Sequence, residues 1–328
     1  MKPIARRLLV ATAAALVASA GTSAFAQAPL SSRPVTLIVA FPAGGAVDAM
    51  ARLIASKLGG PLGTTVIVDN KPGFSGNIGA QYVAKAPADG TTLLMAPVTS
   101  YAVTEAMMGK TTGFSLENDF VPVNVVGEVP LVLSVNPALK IRTLAEFTAL
   151  AKSKPGAVTF ASSGNGSTEH VVAEMFMKRA GVSMLHVPYK GGSQAMVDLV
   201  GGQVQSMFAT TPNVIQNVAA GKLTAVAIST PQRNASLPNV PTMAESGLPG
   251  FGVASVYVIM APAATPKDVV QRLNTEITRA MQDPDTKQKV GMLGITATSS
   301  GVNDARDQTR ALIGQWKEVV RTSDIKAE

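Results

Sequence analysis

Apolar residues along this chain alternate between two spacings. Residues 35–41 form an almost unbroken apolar run, which is typical of a strand buried on both faces of a sheet. After a glycine-containing turn, apolar side chains recur at helical spacing over residues 47–58. Strand-like runs and helical segments continue to alternate beyond that point. Such alternation predicts an α/β fold with a mainly parallel sheet and right-handed crossovers.

The predicted elements cover most of the chain. Strands are expected at residues 35–41, 65–68, 93–96, 158–162, 184–188, 204–209 and 223–229. Helices are expected at residues 47–58, 78–86, 168–179, 193–200 and 302–320. Two further helices are marked by their starts: Thr143 and Glu146 form a capping box, and Thr265 with Pro266 supply a cap and a first-turn proline.

The alternation of short strand-like runs with helical segments is interrupted at two places. Extended runs at residues 121–126 and 131–135, and again at 251–260, are interpreted as crossings between two lobes. A two-stranded hinge would then join the lobes, with the ligand cleft between them beyond the carboxyl ends of the strands. The predicted organisation is lobe 1 at 27–127 and 252–328, and lobe 2 at 128–251.

The first 26 residues are predicted to be a cleaved secretory signal peptide. Three basic residues precede an apolar run at residues 8–20, and Ala-Phe-Ala at residues 24–26 gives the small-x-small cleavage pattern. The apolar run is shorter than the roughly 20 residues that a membrane anchor needs. No Cys follows it, so a lipid anchor is not expected. We therefore expect a protein exported to the periplasm.

The composition removes several classes of function. The chain has no Cys, which excludes disulfides, thiolate metal sites and cysteine nucleophiles. Its net charge of +7 includes the basic residues of the signal peptide, and the mild excess that remains suits an anionic ligand. The basic residues are scattered and only 5% of the chain is aromatic, so no nucleic-acid partner is expected.

Three glycine-containing loops, each between a predicted strand and a predicted helix, are the candidate binding elements. They are FPAGGAVD at residues 41–48, SSGNGST at 162–168 and YKGGS at 189–193. Glycines let the backbone turn tightly, and a helix start adds a partial positive charge, so such loops can bind an anion through N–H groups. The alternative is an ordinary strand-to-helix turn, with Asp48 only favouring its helix start.

Catalytic and metal motifs are not found. His170 and His186 are the only histidines, and no carboxylate stands at ligand spacing from them. His170 can donate to a ligand near the second loop, or it can be structural at its helix start. The sequence has no G-x-S-x-G nucleophile elbow, and the Gly-Lys-Thr at 109–111 lacks the earlier Gly of a phosphate loop. We expect no enzyme, no cofactor and no metal.

Several motifs together carry a family resemblance. They are PVTLIV at 34–39, GGAVDAMAR at 44–52, VDNKPG at 68–73, GNIG at 76–79, ADG at 88–90, SSGNGSTEH at 162–170, HVPYKGG at 186–192 and LPNVPT at 237–242. With these motifs the chain resembles the Bug family, the extracytoplasmic receptors of tripartite tricarboxylate transporters. The similarity runs from about residue 34 to the C-terminus.

The resemblance implies a two-lobed periplasmic binding fold of the type II, or Venus flytrap, kind. Members of the family bind di- and tricarboxylates, acidic amino acids and aromatic acids. The first loop would grip one carboxylate through N–H groups, the other two loops would line the opposite wall, and Thr99 is carried over as a further contact. The ligand-binding residues expected are Phe41, Ala43, Gly44, Gly45, Ala46, Asp48, Thr99, Ser162, Ser163, Gly164, Asn165, Thr168, His170, Tyr189, Lys190 and Gly191.

The resemblance also implies delivery of the ligand to the membrane subunits of a tripartite tricarboxylate-type transporter, and we expect a monomer. A sensor that passes its closed state to a signalling partner is the alternative.

The chain departs from the family pattern at residues 256–258, Val-Tyr-Val, where Trp-Phe-Gly is usual. It departs again at Ala46-Val47, where a small hydroxyl residue is common. The ligand therefore stays open within its class.

Overall fold

The structure is a computed structural model that describes residues 30–323, so the predicted signal peptide lies outside the described residues. The strands are β1 (Val35–Val39), β2 (Val66–Asn70), β3 (Thr92–Pro97), β4 (Phe120–Val135), β5 (Thr159–Ser162), β6 (Leu185–Pro188), β7 (Ser206–Thr210), β8 (Thr224–Ile228), β9 (Ala254–Pro262) and β10 (Thr296–Ala297). The helices are α1 (Ala46–Leu62), α2 (Asn77–Ala84), α3 (Val98–Met108), α4 (Leu144–Ser153), α5 (Thr168–Ala180), α6 (Gly192–Val200), α7 (Thr211–Ala219), α8 (Lys267–Gln282), α9 (Pro284–Met292) and α10 (Val302–Ser323).

The long strand β4 joins two half-sheets. Its first part, up to Pro130, pairs antiparallel with β9, which continues the order β2-β1-β3-β9. Its last part, from Leu131 onward, lies between β7 and β8, and β7 leads on to β5 and β6. We call the two half-sheets, with the helices packed on them, lobe 1 and lobe 2. The predicted α/β, two-lobed fold is confirmed, and the predicted boundaries at 127/128 and 251/252 stay a prediction.

Each lobe has a parallel core of three strands. Strand β1 pairs parallel with β2 and β3, and strand β5 pairs parallel with β6 and β7. The remaining strands, β4, β8, β9 and β10, join antiparallel. In each parallel group the helix that follows a strand begins at the carboxyl end of that strand, so the helix starts of both lobes collect at the cleft.

Three features of the fold differ from the sequence prediction. The extended runs at 121–126 and 131–135 are one strand, β4, with bulges that absorb the register shifts at Pro122/Asn124 and Val125/Gly127. Thr265 is not the cap of α8, because Pro266 occupies that position and the Thr265 hydroxyl donates to the Pro262 carbonyl. The sequence prediction also missed α3, α7 and α9.

The hydrophobic core is continuous on one face of the sheet and divided on the other. Alternate residues of a strand point to opposite faces, so Ile38 belongs to the continuous cluster while Leu37 and Val39 belong to a cluster of lobe 1 alone. Lobe 2 has its own cluster on the divided face, around Leu199 and Met207. The division leaves room for a cleft between the lobes on that face.

Ser229 fastens the two crossing segments to each other. This residue is fully buried, and its hydroxyl accepts from the Leu131 N–H at 3.0 Å and donates to the Val253 carbonyl at 2.6 Å. The backbone of Ser229 adds two more hydrogen bonds to the same two residues. One side chain therefore serves a donor on the outgoing strand and an acceptor on the returning segment.

Removal of the Ser229 hydroxyl should destabilise the protein. In Ser229→Ala a buried N–H and a buried C=O lose their partner, and each such group costs about 1–3 kcal/mol. We expect the free energy of unfolding to fall by about 2–4 kcal/mol in urea titrations. Ser56→Ala is the matched control, because the Ser56 side chain is exposed on α1 and should change stability by less than about 0.5 kcal/mol. Equal stability of the two variants would contradict this role.

Candidate functional site

Residues of both lobes line one cavity of about 40 Å³ in the cleft. Lobe 1 contributes Phe41, Pro42, Gly45, Ala46, Val47, Pro97, Ser100, Ser255 and Tyr257. Lobe 2 contributes Ser163, Thr168, Glu169, Gly192, Ser193, Thr210 and Asn213. The wall therefore contains hydroxyls, an amide, one carboxyl and backbone groups, and no Lys, Arg or His belongs to it.

Five helices begin at this cavity. The first turns of α1, α3, α5, α6 and α7 each supply residues to its wall. No side chain caps the starts of α1, α3, α6 or α7, so their first N–H groups are left for other acceptors. Each helix start carries roughly half a positive charge. The cavity is thus suited to an anion, although no basic side chain lines it.

Asp48 holds the first glycine loop in shape. Its buried carboxylate accepts from the Gly44 N–H at 3.0 Å, the Asn70 side-chain amide at 2.9 Å and the Arg52 guanidinium at 2.9 Å. Burial alone would raise the pKa of Asp48, but these three donors lower it below its ordinary value. The Gly44 N–H is therefore used inside the protein, and the N–H groups that remain at the cavity belong to the start of α1.

The lobes touch each other around the cavity. Ser100 of α3 and Thr168 of α5 are joined at 2.9 Å through their hydroxyls, and the Thr168 N–H donates to the same Ser100 oxygen at 3.1 Å. At the rim, the Ser75 hydroxyl donates to the Asn165 carbonyl at 2.7 Å. Ser75 has a φ of 51°, an uncommon conformation for a residue with a side chain. The structure thus represents a closed arrangement of the cleft.

Gly191 is required by this close approach. Its φ is +153°, and a Cβ at this position would lie 2.7 Å from Cδ of Pro42 on the opposite lobe. The proline ring cannot rotate away as a flexible side chain would. Any residue larger than glycine at position 191 therefore meets lobe 1 when the cleft is closed.

The structure places the sequence-predicted residues in several environments. Phe41, Gly45, Ala46, Ser163 and Thr168 lie in the cavity wall. Gly164, Asn165, Tyr189 and Lys190 line a neighbouring hollow of about 290 Å³ that also contains Phe74 and Ser75. Ala43 and Gly44 are exposed at the tip of the first loop. Contact of any of these residues with a ligand stays a prediction.

His170 and Ser162 make contacts inside lobe 2. His170 accepts from the Gly166 N–H at 3.2 Å and stacks on His186, with ring centroids 4.1 Å apart. Burial, with a contribution from His170, lowers the pKa of His186 to about 3, so that ring is neutral at pH 7. The hydroxyl of Ser162 contacts His186 Nε2 at 2.7 Å. These groups lie behind the second loop and shape it.

Thr99 and Tyr189 are also engaged inside the protein. The Thr99 hydroxyl lies 3.3 Å from both the Ala254 carbonyl and the Val256 N–H, so it ties α3 to β9. The Tyr189 phenol donates to Asp198 at 2.7 Å. Among residues 30–323, no group of three or more His, Asp or Glu side chains is arranged to hold a metal ion.

Pro42, Val47, Gly192 and Ser193 lie within the predicted loops at 41–48 and 189–193, although they were not named singly as ligand contacts. Sequence reasoning missed the seven cavity residues outside the three loops, which are Pro97, Ser100, Glu169, Thr210, Asn213, Ser255 and Tyr257. Several follow strands β3 and β7, where a helix begins without a glycine loop to mark it. The strand–helix alternation was the available signal, since every helix start after a parallel strand faces the same edge.

Comparisons with known proteins place the chain among receptors of one transporter class. The family model described as "Tripartite tricarboxylate transporter family receptor" matches residues 50–323. BugT of Bordetella pertussis (strain Tohama I) is 36% identical over 323 residues, covering 97% of this chain and 98% of BugT. These matches extend over nearly the whole sequence.

Solved structures share the fold. An R. palustris protein solved with adipate has a TM-score of 0.86 and 34% identity, covering 90% of this chain and 98% of its own. MatC from Rhodopseudomonas palustris, solved with bound malate, has a TM-score of 0.83 and 29% identity, covering 88% of this chain and 99% of its own. Both ligands are dicarboxylates.

The Asp48 network gives a stability prediction with a definite pH dependence. Asp48→Ala should lower the free energy of unfolding at pH 7 by about 2–3 kcal/mol, because three donors lose a charged acceptor and hydrogen bonds to a charged group contribute about 1.5–3 kcal/mol. A carboxyl whose pKa is lowered by folding stabilises the protein above its ordinary value of 3.8 and loses that effect as the pH falls through the lower folded value. The gap between variant and wild type should therefore narrow in acid, as measured by thermal unfolding from pH 7 to pH 3.

The control for Asp48 is Asp304→Ala, which removes an exposed acid from the first turn of α10. Loss of its favourable interaction with the helix start should cost less than about 1 kcal/mol. An Asp48 variant as stable as this control would contradict the network's role.

Gly191→Ala should favour an open cleft, because its Cβ meets Pro42 only in the closed form. Small-angle scattering should show a larger radius of gyration than wild type. Gly221→Ala is the control for backbone strain alone, since Gly221 has a φ of +67° and a Cβ there meets nothing within 4 Å. A Gly191 variant as compact as the Gly221 variant would contradict the assignment of a closed state.

Proposed function

The chain belongs to the tripartite tricarboxylate transporter receptor family, and on this basis we propose that it captures a small carboxylate in the interlobe cavity and delivers it to the membrane subunits of such a transporter. The family's role is solute binding. The observation that carries the proposal is the convergence of five helix starts on a cavity without Lys, Arg or His.

Backbone donors and hydroxyls suit a carboxylate better than they suit a cation. The uncapped starts of α1 and α3 in lobe 1 face those of α6 and α7 in lobe 2. N–H groups at helix starts favour negative charge by about 0.3–1 kcal/mol each at exposed sites and by more when partly buried. A ligand with a carboxylate at each end would use both sets of donors at once.

Dicarboxylates are therefore the first choice within the carboxylate class. Relatives with 34% and 29% identity were solved with adipate and with malate. Tricarboxylates, acidic amino acids and aromatic acids remain in the class that we propose. The ligand would bridge the lobes and lower the free energy of the closed form, which is a shift of population between two states. The closed form would be the one that docks on the membrane subunits.

We propose a monomeric periplasmic receptor, exported by a signal peptide at residues 1–26, that binds its ligand without catalysing a reaction. In residues 30–323 no helix is long and apolar enough to span a bilayer.

A ligand panel tests the function. The exported chain would be screened by thermal shift against adipate, malate, succinate, citrate, glutamate, terephthalate and nicotinate. A true ligand at a hundred times its Kd should stabilise the protein by about 2.7 kcal/mol. Scattering should show compaction with the same ligand. Failure of every acid to stabilise the protein would contradict carboxylate capture.

Gly45 provides a graded test of the first loop. A Cβ at Gly45 would lie 3.6 Å from the Pro42 carbonyl and 3.7 Å from the Ser193 hydroxyl, so alanine fits with ordinary contacts. The two methyl groups of valine would enter the gap between the lobes and block approach to the α1 N–H groups. Gly45→Val should abolish adipate binding by calorimetry, whereas Gly45→Ala should weaken it by less than about tenfold. Wild-type affinity in the valine variant would refute the loop's role.

A further inference from the structure

Glu169 is the only carboxyl group among the residues that line the cavity. The residue is 7% exposed, and its Oε2 accepts from the Ser163 hydroxyl at 2.7 Å. A Cβ at Gly192 would lie 3.9 Å from the other oxygen, Oε1, which therefore faces the start of α6. A buried carboxyl inside a proposed anion site calls for a physical explanation.

No basic side chain in the described part of the chain neutralises Glu169. Among residues 30–323, no Lys, Arg or His forms an ion pair with it. The next residue on α5, His170, is directed to Gly166 and His186 instead. An ionised Glu169 would thus rely on hydrogen bonds and helix starts alone.

The elements packed against Glu169 present neutral side chains. The loop before α5 presents the hydroxyls of Ser163 and Ser167, α7 presents the Asn213 amide beside Gly192, and β7 presents the Met207 side chain. Strand β9 presents the Tyr257 phenol, whose pKa is raised by burial and by Glu169, so it stays protonated. Burial raises the pKa of Glu169 above its ordinary 4.5, although the hydrogen bonds it accepts act in the opposite direction.

On the premise that the cavity binds a carboxylate, we propose that Glu169 determines specificity as a neutral carboxylic acid that donates a hydrogen bond from Oε1 to a carboxylate oxygen of the ligand. Ser163 donates to Oε2, and Oε1 lies on the side of the α6 start, where a ligand in the cavity would reach it. The end of the ligand at lobe 2 is therefore a carboxylate and not an ammonium group. Capture by protein in which Glu169 is ionised takes up one proton from solution.

The sign of the pH effect follows from linkage. The ligand carboxylate stabilises the protonated Glu169, so the pKa of Glu169 is higher in the complex than in the free protein. At a pH below the pKa of Glu169 in the free protein, affinity does not depend on the protonation of Glu169. At a pH between the pKa in the free protein and the pKa in the complex, affinity falls about tenfold for each pH unit. Affinity for a dicarboxylate therefore falls as the pH rises.

The protonation state can be measured without a ligand. The infrared difference spectrum of wild type minus Glu169→Gln should contain the C=O band of a protonated carboxyl, and this band should persist above pH 4.5. If the band is already lost at a pH below 4.5 when the pH is raised, the proposal is overturned. This result does not depend on which solute binds.

Calorimetry with adipate, in two buffers of different ionisation enthalpy from pH 5.5 to 8.5, tests the role in binding. Wild type should take up one proton in the range where affinity falls. Glu169→Gln keeps a hydrogen-bond donor, so it should bind adipate with no proton uptake and no such fall. Glu174→Gln, on the same helix but outside the cavity wall, should behave as wild type.

The outcomes separate this inference from the proposed function. Equal proton uptake by wild type and Glu169→Gln, or affinity that rises with pH, would overturn the role of Glu169. If neither wild type nor the variants bind adipate and the infrared band is present, the result counts against dicarboxylate capture. The protonation of Glu169 would then still be established.

Discussion

Strand β4 runs through both lobes, and the pairing of its two parts fixes where the other strands lie. Lobe 1 is built on β9 beside the first part, and lobe 2 is built on β7 and β8 beside the last part. Because the parallel strands of both lobes end toward the cleft, the helices that follow them begin there. Ser229 holds this arrangement at the crossing, because it bonds to both crossing segments. A shift of one segment along the other would move the two sets of helix starts apart.

The pKa values of the two buried carboxyl groups near the cleft are shifted in opposite directions, because their surroundings differ. Asp48 receives donors from Gly44, Asn70 and Arg52, and its pKa is lowered, so it is an internal anion that shapes a loop. Glu169 has no basic partner within residues 30–323, and burial raises its pKa. Asp48 occupies the Gly44 N–H, which a ligand would otherwise meet, and Glu169 adds a polar group to the cavity wall. Asp48 takes two of its three donors from within four residues of itself, whereas Glu169 also faces Tyr257, which is distant in sequence.

Much of the fold could be predicted from sequence because its signals are local. The apolar run before Phe41, the capping box at Thr143 and the glycine loops lie within short windows. The start of α3 carries no such marker, and the first-turn proline of α7 was not used as one, so the cavity residues Ser100 and Asn213 were missed. Glu169 was overlooked because its neighbours Ser163 and Tyr257 come together only after folding. Thr265 was misassigned because a preceding carbonyl offers its hydroxyl a better partner.

The reliance on helix starts also has a kinetic consequence. The field of a helix terminus fades within about one turn, whereas a surface lysine acts over a Debye length of about 8 Å at physiological salt. The helix starts therefore guide a solute approaching the open cleft little from afar, and their full attraction acts only after entry. Any effect of dissolved salt on the encounter rate should come from surface charges such as the exposed Lys190, and the lifetime of the bound state should be governed by how often the lobes separate.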